Sequence, residues 1–235
     1  MAAVTDIVVT TMNRLDHLKR CLTYIYERTR SPYRLHVLDD ASTEGNADWL
    51  IREWKARRVH HLLLHGQQVG AMAQLNMGAW MSFSNPTVFT DDDILCPDVE
   101  PDWLARGLTV MQRRRNIGLL ALNHPRAARK KIGPDPELPV TYCKAVGGTF
   151  MFVQREYLRT EPLPHAWANF GITPTTKRCA MARHGGWRIA YLTDTYCQHI
   201  GKVSALTGKE YCGQRRDVFD VDPVTLEPIN EVHRG

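Results

Sequence analysis

No Cys-x-x-Cys pair occurs in this sequence, and its 6 cysteines, Cys21, Cys96, Cys143, Cys179, Cys197 and Cys212, are scattered singly. Zinc ribbons and dithiol redox centres need closely spaced pairs, so both are excluded, and the cysteines read as free thiols in a reducing, cytoplasmic compartment. No stretch approaches the roughly 18 uninterrupted apolar residues of a membrane helix, and residues 1–6 lack the basic and then apolar leader of a secreted chain. The expectation is a soluble, unsecreted protein without a transmembrane segment. Repeats are missing too, which removes the collagen-like, coiled-coil and disordered classes. Basic residues cluster at Arg113-Arg114-Arg115 and from Arg126 to Lys131, but without the interleaved aromatics of a single-strand nucleic-acid platform.

Of the 235 residues 43% are apolar, about 100 side chains, which suits one large domain. Lys plus Arg number 30 against 25 for Asp plus Glu, and the net +5 allows attraction to polyanions without demanding it. Asp6 to Thr11 is a β-branched strand, after which Leu15, Leu18, Leu22 and Ile25 recur at helical spacing, with Asn13 as the expected N-cap and Asp16 in the first turn. Arg34 to Leu38, Val59 to Leu64 and Thr87 to Thr90 are further strands. Helices are expected through Leu50, Ile51 and Trp54, and through Met72, Leu75 and Ala79 behind Gly70. This alternation predicts an α/β fold with a mostly parallel central sheet flanked by helices. Beyond Pro97 the pattern becomes mixed. A helix is expected over 103–114, a strand over 117–122, a Pro- and basic-rich loop over 123–139, strands over 146–153 and 188–192, a helix near 176–184, and a polar arm from Gly208.

In open α/β sheets ligands collect outside the carboxyl ends of the strands. Three polar clusters stand there: Thr10-Thr11-Met12-Asn13-Arg14, Asp39-Asp40 and Thr90-Asp91-Asp92-Asp93. Three adjacent carboxylates repel one another and need a cation or basic side chains to neutralise them. Hard oxygen ligands favour Mg2+ or Mn2+, and such an ion can bridge two phosphates of a leaving nucleoside diphosphate. The alternative for the triplet is a solvated acidic turn, although it is bracketed by Val88-Phe89-Thr90 and Ile94-Leu95-Cys96, which are core-type residues.

These clusters carry a resemblance. Ile7-Val-Val-Thr-Thr-Met-Asn-Arg14 with Leu18 and Cys21-Leu22, Leu35-His-Val-Leu-Asp-Asp-Ala-Ser-Thr43, Gly70 to Asn76 with Gly78, and Phe89-Thr-Asp-Asp-Asp-Ile94 with Pro97 resemble the family 2 glycosyltransferases of GT-A fold. Gly147-Gly148-Thr149 with Arg155 resembles the family's acceptor segment, and Gly186-Trp-Arg-Ile-Ala-Tyr191 with Gln198-His-Ile-Gly201 and Ser204 its closing strand and His motif. The resemblance implies a single GT-A domain, with a nucleotide-sugar-binding half over 1–97, an acceptor-binding half over 98–207 and a C-terminal arm over 208–235. It implies transfer of a sugar from a nucleotide-diphosphate sugar, UDP-sugars favoured, with Mn2+ or Mg2+ as cofactor. Thr10 and Thr11 would line the nucleotide pocket, Asp40 would hydrogen-bond the base, Asp91 would face the ribose, and Gly70 and Arg14 would serve the donor. Asp92 would be the catalytic metal ligand by its place in the family pattern, whereas a literal Asp-x-Asp reading uses Asp91 and Asp93 as the pair; His199 would complete the metal site or touch the diphosphate. The bland alternatives are strand-end threonines, an Asx turn at Asp39 or Asp40, and a structural histidine.

The family's inverting members carry an acidic general base ahead of the Gly186 strand, where this sequence reads Pro174-Thr175-Thr176-Lys177. An acceptor hydroxyl normally needs a positioned base. His165, or Glu161, on the preceding loop is one candidate; the others are a retaining reaction without a dedicated base, and a module that binds donors without transfer. Met12 stands where many relatives have an aromatic beside the base. Trp167 and Phe170 could stack an acceptor ring, and Arg126, Arg129, Lys130 and Lys131 would suit an anionic acceptor such as a cell-surface polymer or a hydroxylated base in DNA. A nucleotidyltransferase is the other enzymatic reading, but it would usually need a glycine-rich phosphate loop after the first strand, and Thr10 to Arg14 contains no glycine.

Overall fold

A computed structural model describes residues 3–124, 131–147, 150–160, 179, 182, 183 and 185–201. Strand β1 (Thr5–Thr11) is buried along its whole length, as a β-branched run covered on both faces must be. Helix α1 (Leu15–Arg28) buries Leu18, Cys21, Leu22 and Ile25, the stripe the spacing predicts. Strand β2 (Tyr33–Asp39), helix α2 (Asn46–Lys55), strand β3 (His61–Leu64), helix α3 (Ala71–Met81) and strand β4 (Thr87–Asp91) complete the alternating half. The second half follows with β5 (Ile94–Leu95), α4 (Trp103–Arg113), β6 (Ile117–Asn123), β7 (Lys131–Pro134), β8 (Val140–Cys143), β9 (Met151–Val153), α5 (Arg155–Thr160), β10 (Arg188–Tyr196) and β11 (Gln198–His199).

Nine strands form one sheet in the order β3-β2-β1-β4-β9-β6-β10-β8-β7. Parallel pairing joins β3, β2, β1 and β4, and joins β6 to β10; β9 and β8 run the other way. Neighbouring side chains on one strand alternate between two cores. Ile7, Val9, Val88 and Leu120 pack with α1, α2 and α4 on one face, while Val8, Phe89 and Leu119 pack with Leu75, Met77 and Tyr157 of α3 and α5 on the other.

Three expectations change. Asn13 is not the cap of α1: Arg14 holds that position in a left-handed conformation without a side-chain cap bond, and the Asn13 Oδ1 accepts instead from the Thr43 amide at 2.8 Å. The strand expected over 146–153 is shortened to β9, and among the described residues the stretch before it is irregular, with Phe150 at φ 46°. The basic loop over 123–139 contains β7, which pairs with an unforeseen β8, and α5 is also new. At β7–β8 the Asp135 carboxylate accepts from Arg114 Nε at 2.9 Å, Tyr142 Oη at 2.6 Å and the Leu138 amide at 3.1 Å, and pairings of this kind leave no periodicity in sequence. The expected C-terminal arm and most of the 176–184 helix lie outside the described residues.

Asp102 caps α4, accepting from the Ala105 amide at 2.7 Å, and also takes hydrogen bonds from the Arg30 amide at 2.6 Å and Ser31 Oγ at 2.9 Å. It therefore ties the α1–β2 connection to the second half. Asp102→Ala removes a cap and orphans buried donors together, so a loss of about 2 kcal/mol in urea unfolding is expected; a loss near zero would mean that water replaces the carboxylate.

Candidate donor and cation site

The parallel register brings the sequence clusters together. Thr10 stands opposite Asp91 and Thr11 opposite Asp39, so β1, β2 and β4 end side by side. The chain then reverses through Asp92 and Asp93 into β5, whose partner β11 sets His199 opposite Ile94. His199 Nε2 lies 3.2 Å from Asp93 Oδ2, and the Ile200 amide donates to the Asp93 carbonyl at 2.9 Å. Arg14 reaches across from the head of α1. Its Nη1 is 2.7 Å from Asp93 Oδ2 and its Nη2 pairs with Asp92 Oδ1.

The three acids are held differently. Asp92 is fully buried, and its second oxygen accepts from Thr11 Oγ1 at 2.7 Å. Burial pushes its carboxyl well above the usual range, against the pull of Arg14. Asp93 is only 2% exposed and its Oδ1 has no hydrogen-bond partner. Burial would raise its carboxyl too, but the His199 hydrogen bond and then Arg14 outweigh that and hold it below the ordinary value. Asp91 is exposed at the rim, with Thr10 Oγ1 at 3.4 Å. Enclosure by protein, and then the Asp93 charge, raise its carboxyl to about 6. Because its outer side meets water, the repulsion is the firmer of these two causes.

Several residues expected to touch ligand also brace the site. Thr10 and Thr11 are buried behind the acids. Asp40 accepts from the Val69 amide at 2.7 Å and the Gly70 amide at 3.0 Å, one bond on each oxygen, so it also fixes the head of α3. Asp39 makes the Asx turn, accepting from the Ser42 amide at 3.0 Å. Met12 contacts Gln68, whose Nε2 lies 3.2 Å from its sulfur. Arg155 leaves the acceptor side altogether: β9 runs antiparallel to β4, with Val153 opposite Thr87, and this carries Arg155 to the far edge of the sheet, where its Nη1 donates to the Ser82 carbonyl at 2.8 Å. His165, Glu161, Gly148, Trp167, Phe170, Arg126, Arg129 and Lys130 lie outside the described residues.

Sequence reasoning missed Glu44, which accepts from the Arg14 amide at 2.8 Å, and Asn46, whose Nδ2 reaches the Asn13 carbonyl at 3.1 Å. A Cβ on Gly201 would overlap Asp93 Oδ2, a constraint the Gln-His-Ile-Gly string contains but does not announce.

Among the described residues no three His, Cys, Asp or Glu side chains form a ready cage for a metal. Magnesium-like ions commonly need only one or two protein carboxylates, with phosphate and water filling the shell. The unpartnered Asp93 Oδ1 and the adjacent His199 imidazole fit that mode.

The sequence pattern of the family described as "Glycosyl transferase family 2" matches residues 6–142. The chain belongs to this family. Its fold is that of GT-A glycosyltransferases. GalNAc-T7, solved with UDP, GalNAc and Mn2+, superposes with a TM-score of 0.70 at 12% identity, over 92% of this chain and 47% of that one. A mannosyltransferase from Pyrobaculum calidifontis, in complex with GDP-Man and Mn2+, gives 0.67 at 20% identity, over 86% of this chain and 58% of that one. TarS from S. aureus gives 0.60 at 13% identity, over 83% of this chain and 36% of that one. The family 2 chain thus spans about half the length, or less, of some of these proteins. No curated protein matches it in sequence. No helix among its described residues is long and apolar enough to cross a membrane.

Proposed function

We propose that this family 2 chain is a metal-dependent glycosyltransferase that takes a sugar from a nucleotide-diphosphate donor and places it on an acceptor hydroxyl. The observation that carries the reading is the meeting of Asp91, Asp92 and Asp93 with Arg14 and His199 at the carboxyl edge of a GT-A sheet. In the reaction the bond from the anomeric carbon to the diphosphate oxygen breaks and a bond to the acceptor oxygen forms. The nucleoside diphosphate departs with the electron pair, and the acceptor proton passes to a base. A divalent cation, Mn2+ or Mg2+, would supply charge to the leaving diphosphate.

Asp93 and His199 would hold that cation, and Asp91 would face the donor from the rim. Asp92, braced by Thr11, anchors Arg14. Asp40 meets the base, and by holding the Gly70 amide it also sets the head of α3. His165 or Glu161 supplies the base in an inverting reaction. Uridine is the favoured nucleoside, supported by UDP in GalNAc-T7. The acceptor would lie near the start of β9, where Met151 pairs with Phe89, two residues before Asp91. An anionic acceptor, a cell-surface polymer or hydroxylated DNA, is supported by the net charge of +5 and by the basic residues Arg126, Arg129, Lys130 and Lys131 of the sequence.

Release of nucleoside diphosphate from UDP- and GDP-sugars with Mn2+, Mg2+ or EDTA tests the reading, with thermal melts of the same mixtures. Metal-dependent hydrolysis or selective stabilisation by one donor is expected; neither, with any donor or metal, would overturn it. Gly201→Ala supplies a local check. Its methyl group must displace the Asp93 carboxylate, so Mn2+-dependent hydrolysis should fall about tenfold while the melting temperature in EDTA stays near wild type. Unchanged hydrolysis would separate Asp93 from the cation.

A further inference from the structure

Arg14 spends its charge where a bound cation would spend its own. The guanidinium forks between two carboxylates of one turn, with Asp93 Oδ2 at 2.7 Å on one nitrogen and Asp92 on the other. It reaches them because Asn13 and Arg14 both take left-handed backbone conformations, at φ 55° and 64°. That geometry is held in place by Ser42 Oγ, which accepts from the Asn13 amide at 2.7 Å, and by Glu44, which accepts from the Arg14 amide at 2.8 Å. Asp92 is pinned from behind by Thr11. Asp93 is the shared partner: Oδ2 serves both Arg14 and His199, and Oδ1 is buried with no hydrogen bond.

A cation drawn to Asp93 and His199 meets the guanidinium at close range, and like charges in a partly buried site repel strongly. A diphosphate changes that balance. Its oxygens match the planar fork of an arginine, so Arg14 gains a new anionic partner as Asp93 turns to the cation. We propose that Arg14 is an exchangeable counter-ion: it neutralises Asp92 and Asp93 in the ligand-free protein and passes from Asp93 to the donor diphosphate when cation and donor bind together. Cation capture is then weak without a nucleotide and strong with one. The consequence is that the site resists idle loading with metal and assembles only around its donor. By linkage, the cation tightens nucleotide binding by the same factor. The inference rests on the assignment of Asp93 and His199 to the cation.

Mn2+ binding to the full chain, followed by the loss of the free-ion electron paramagnetic resonance signal, tests this with no added nucleotide and with UDP or GDP. Wild type should bind Mn2+ at least tenfold more tightly when the nucleotide is present. Arg14→Met should bind Mn2+ alone about tenfold more tightly than wild type and keep less than threefold enhancement by nucleotide. Arg14→Lys, which retains a charge but not the fork, should fall between them and serves if the methionine variant fails to fold. If wild type and the variants bind Mn2+ equally and show the same enhancement, Arg14 is a structural clamp and the inference is overturned alone. If no protein binds Mn2+ with either nucleotide, the cation site itself is misassigned and both readings fall.

Discussion

Asp93→Asn is expected to lower metal-dependent donor turnover by about a thousandfold while leaving the fold intact. The amide keeps the side chain's shape, and Arg14 keeps Asp92 as an ion-pair partner. What disappears is the negative charge beside His199 and the buried oxygen that has no hydrogen-bond partner. Charge stabilisation of a departing diphosphate by a metal is worth several kcal/mol, and each 1.36 kcal/mol is about tenfold in rate, which sets the expected factor. Mn2+ should also cease to raise the melting temperature in the presence of UDP. Asp92→Asn makes the informative contrast. Asp92 is fully buried between Thr11 and Arg14, so its loss should reduce stability and turnover together. Undiminished Mn2+-dependent turnover in Asp93→Asn would move the cation to Asp91 or Asp92.

The site is built on local strain. Asn13, Arg14 and Ala41 all have positive φ without being glycine, and all follow the carboxyl ends of β1 and β2. Left-handed conformations at such residues cost of order 1–3 kcal/mol and persist only where surrounding bonds over-determine them. Here the bonds are visible: Asn13 to Thr43 and Ser42, and the Arg14 amide to Glu44. The sheet edge is thus a preorganised surface in which two loops hold each other, and their shared product is the direction of Arg14.

Much of this was legible in the sequence, and the reasons differ by element. β1, α1 and β4 are long, strongly patterned and central, so local signal and tertiary position agree. Helix α1 shows the limit of that agreement. Its buried stripe follows from spacing, yet its cap does not, because Asn13 is taken by a partner 30 positions away. β8 and α5 have 4 and 6 residues and are defined by what they pair with. Among site residues, the acid triplet, Arg14 and His199 are recognisable by chemistry and by resemblance, and the fold brings them together. Burial is what no single sequence displays. Thr11 and Asp92, read separately as a pocket-lining residue and a metal ligand, are hydrogen-bonded to each other in a buried pair, and Asp40, read as a base contact, also holds the amides of Val69 and Gly70.

The largest stability effect is expected at the opposite edge of the sheet, at Asp6. Its carboxylate is completely buried at the start of β1 and gathers Arg34 Nε at 2.8 Å, His36 Nε2 at 3.0 Å and the backbone amides of Phe83 and Ser84 at 2.5 and 2.8 Å. These partners come from β2 and from the turn before β4, so one side chain ties three strands. Asp6→Ala leaves two amides and a buried imidazole without their acceptor, a loss of about 3–5 kcal/mol. Asp6→Asn keeps one acceptor oxygen and should cost less. The pH dependence has a definite sign. Burial alone would raise this carboxyl, but the hydrogen bonds from His36, the two amides and Arg34 outweigh it and hold the folded-state value well below the ordinary carboxylate range. Its contribution is therefore complete above the unfolded value, about 3.9, and drains away as pH falls below it toward the folded value. Urea midpoints of wild type should decline below about pH 4 more steeply than those of Asp6→Ala, with the two curves converging at the acid end. Because Asp6 stands a strand's length from Asp93, folded Asp6→Ala should still be stabilised by UDP with Mn2+ as wild type is. Parallel pH curves would instead place the acid sensitivity elsewhere, with Asp135, held low by its hydrogen bonds from Arg114 and Tyr142, the next candidate.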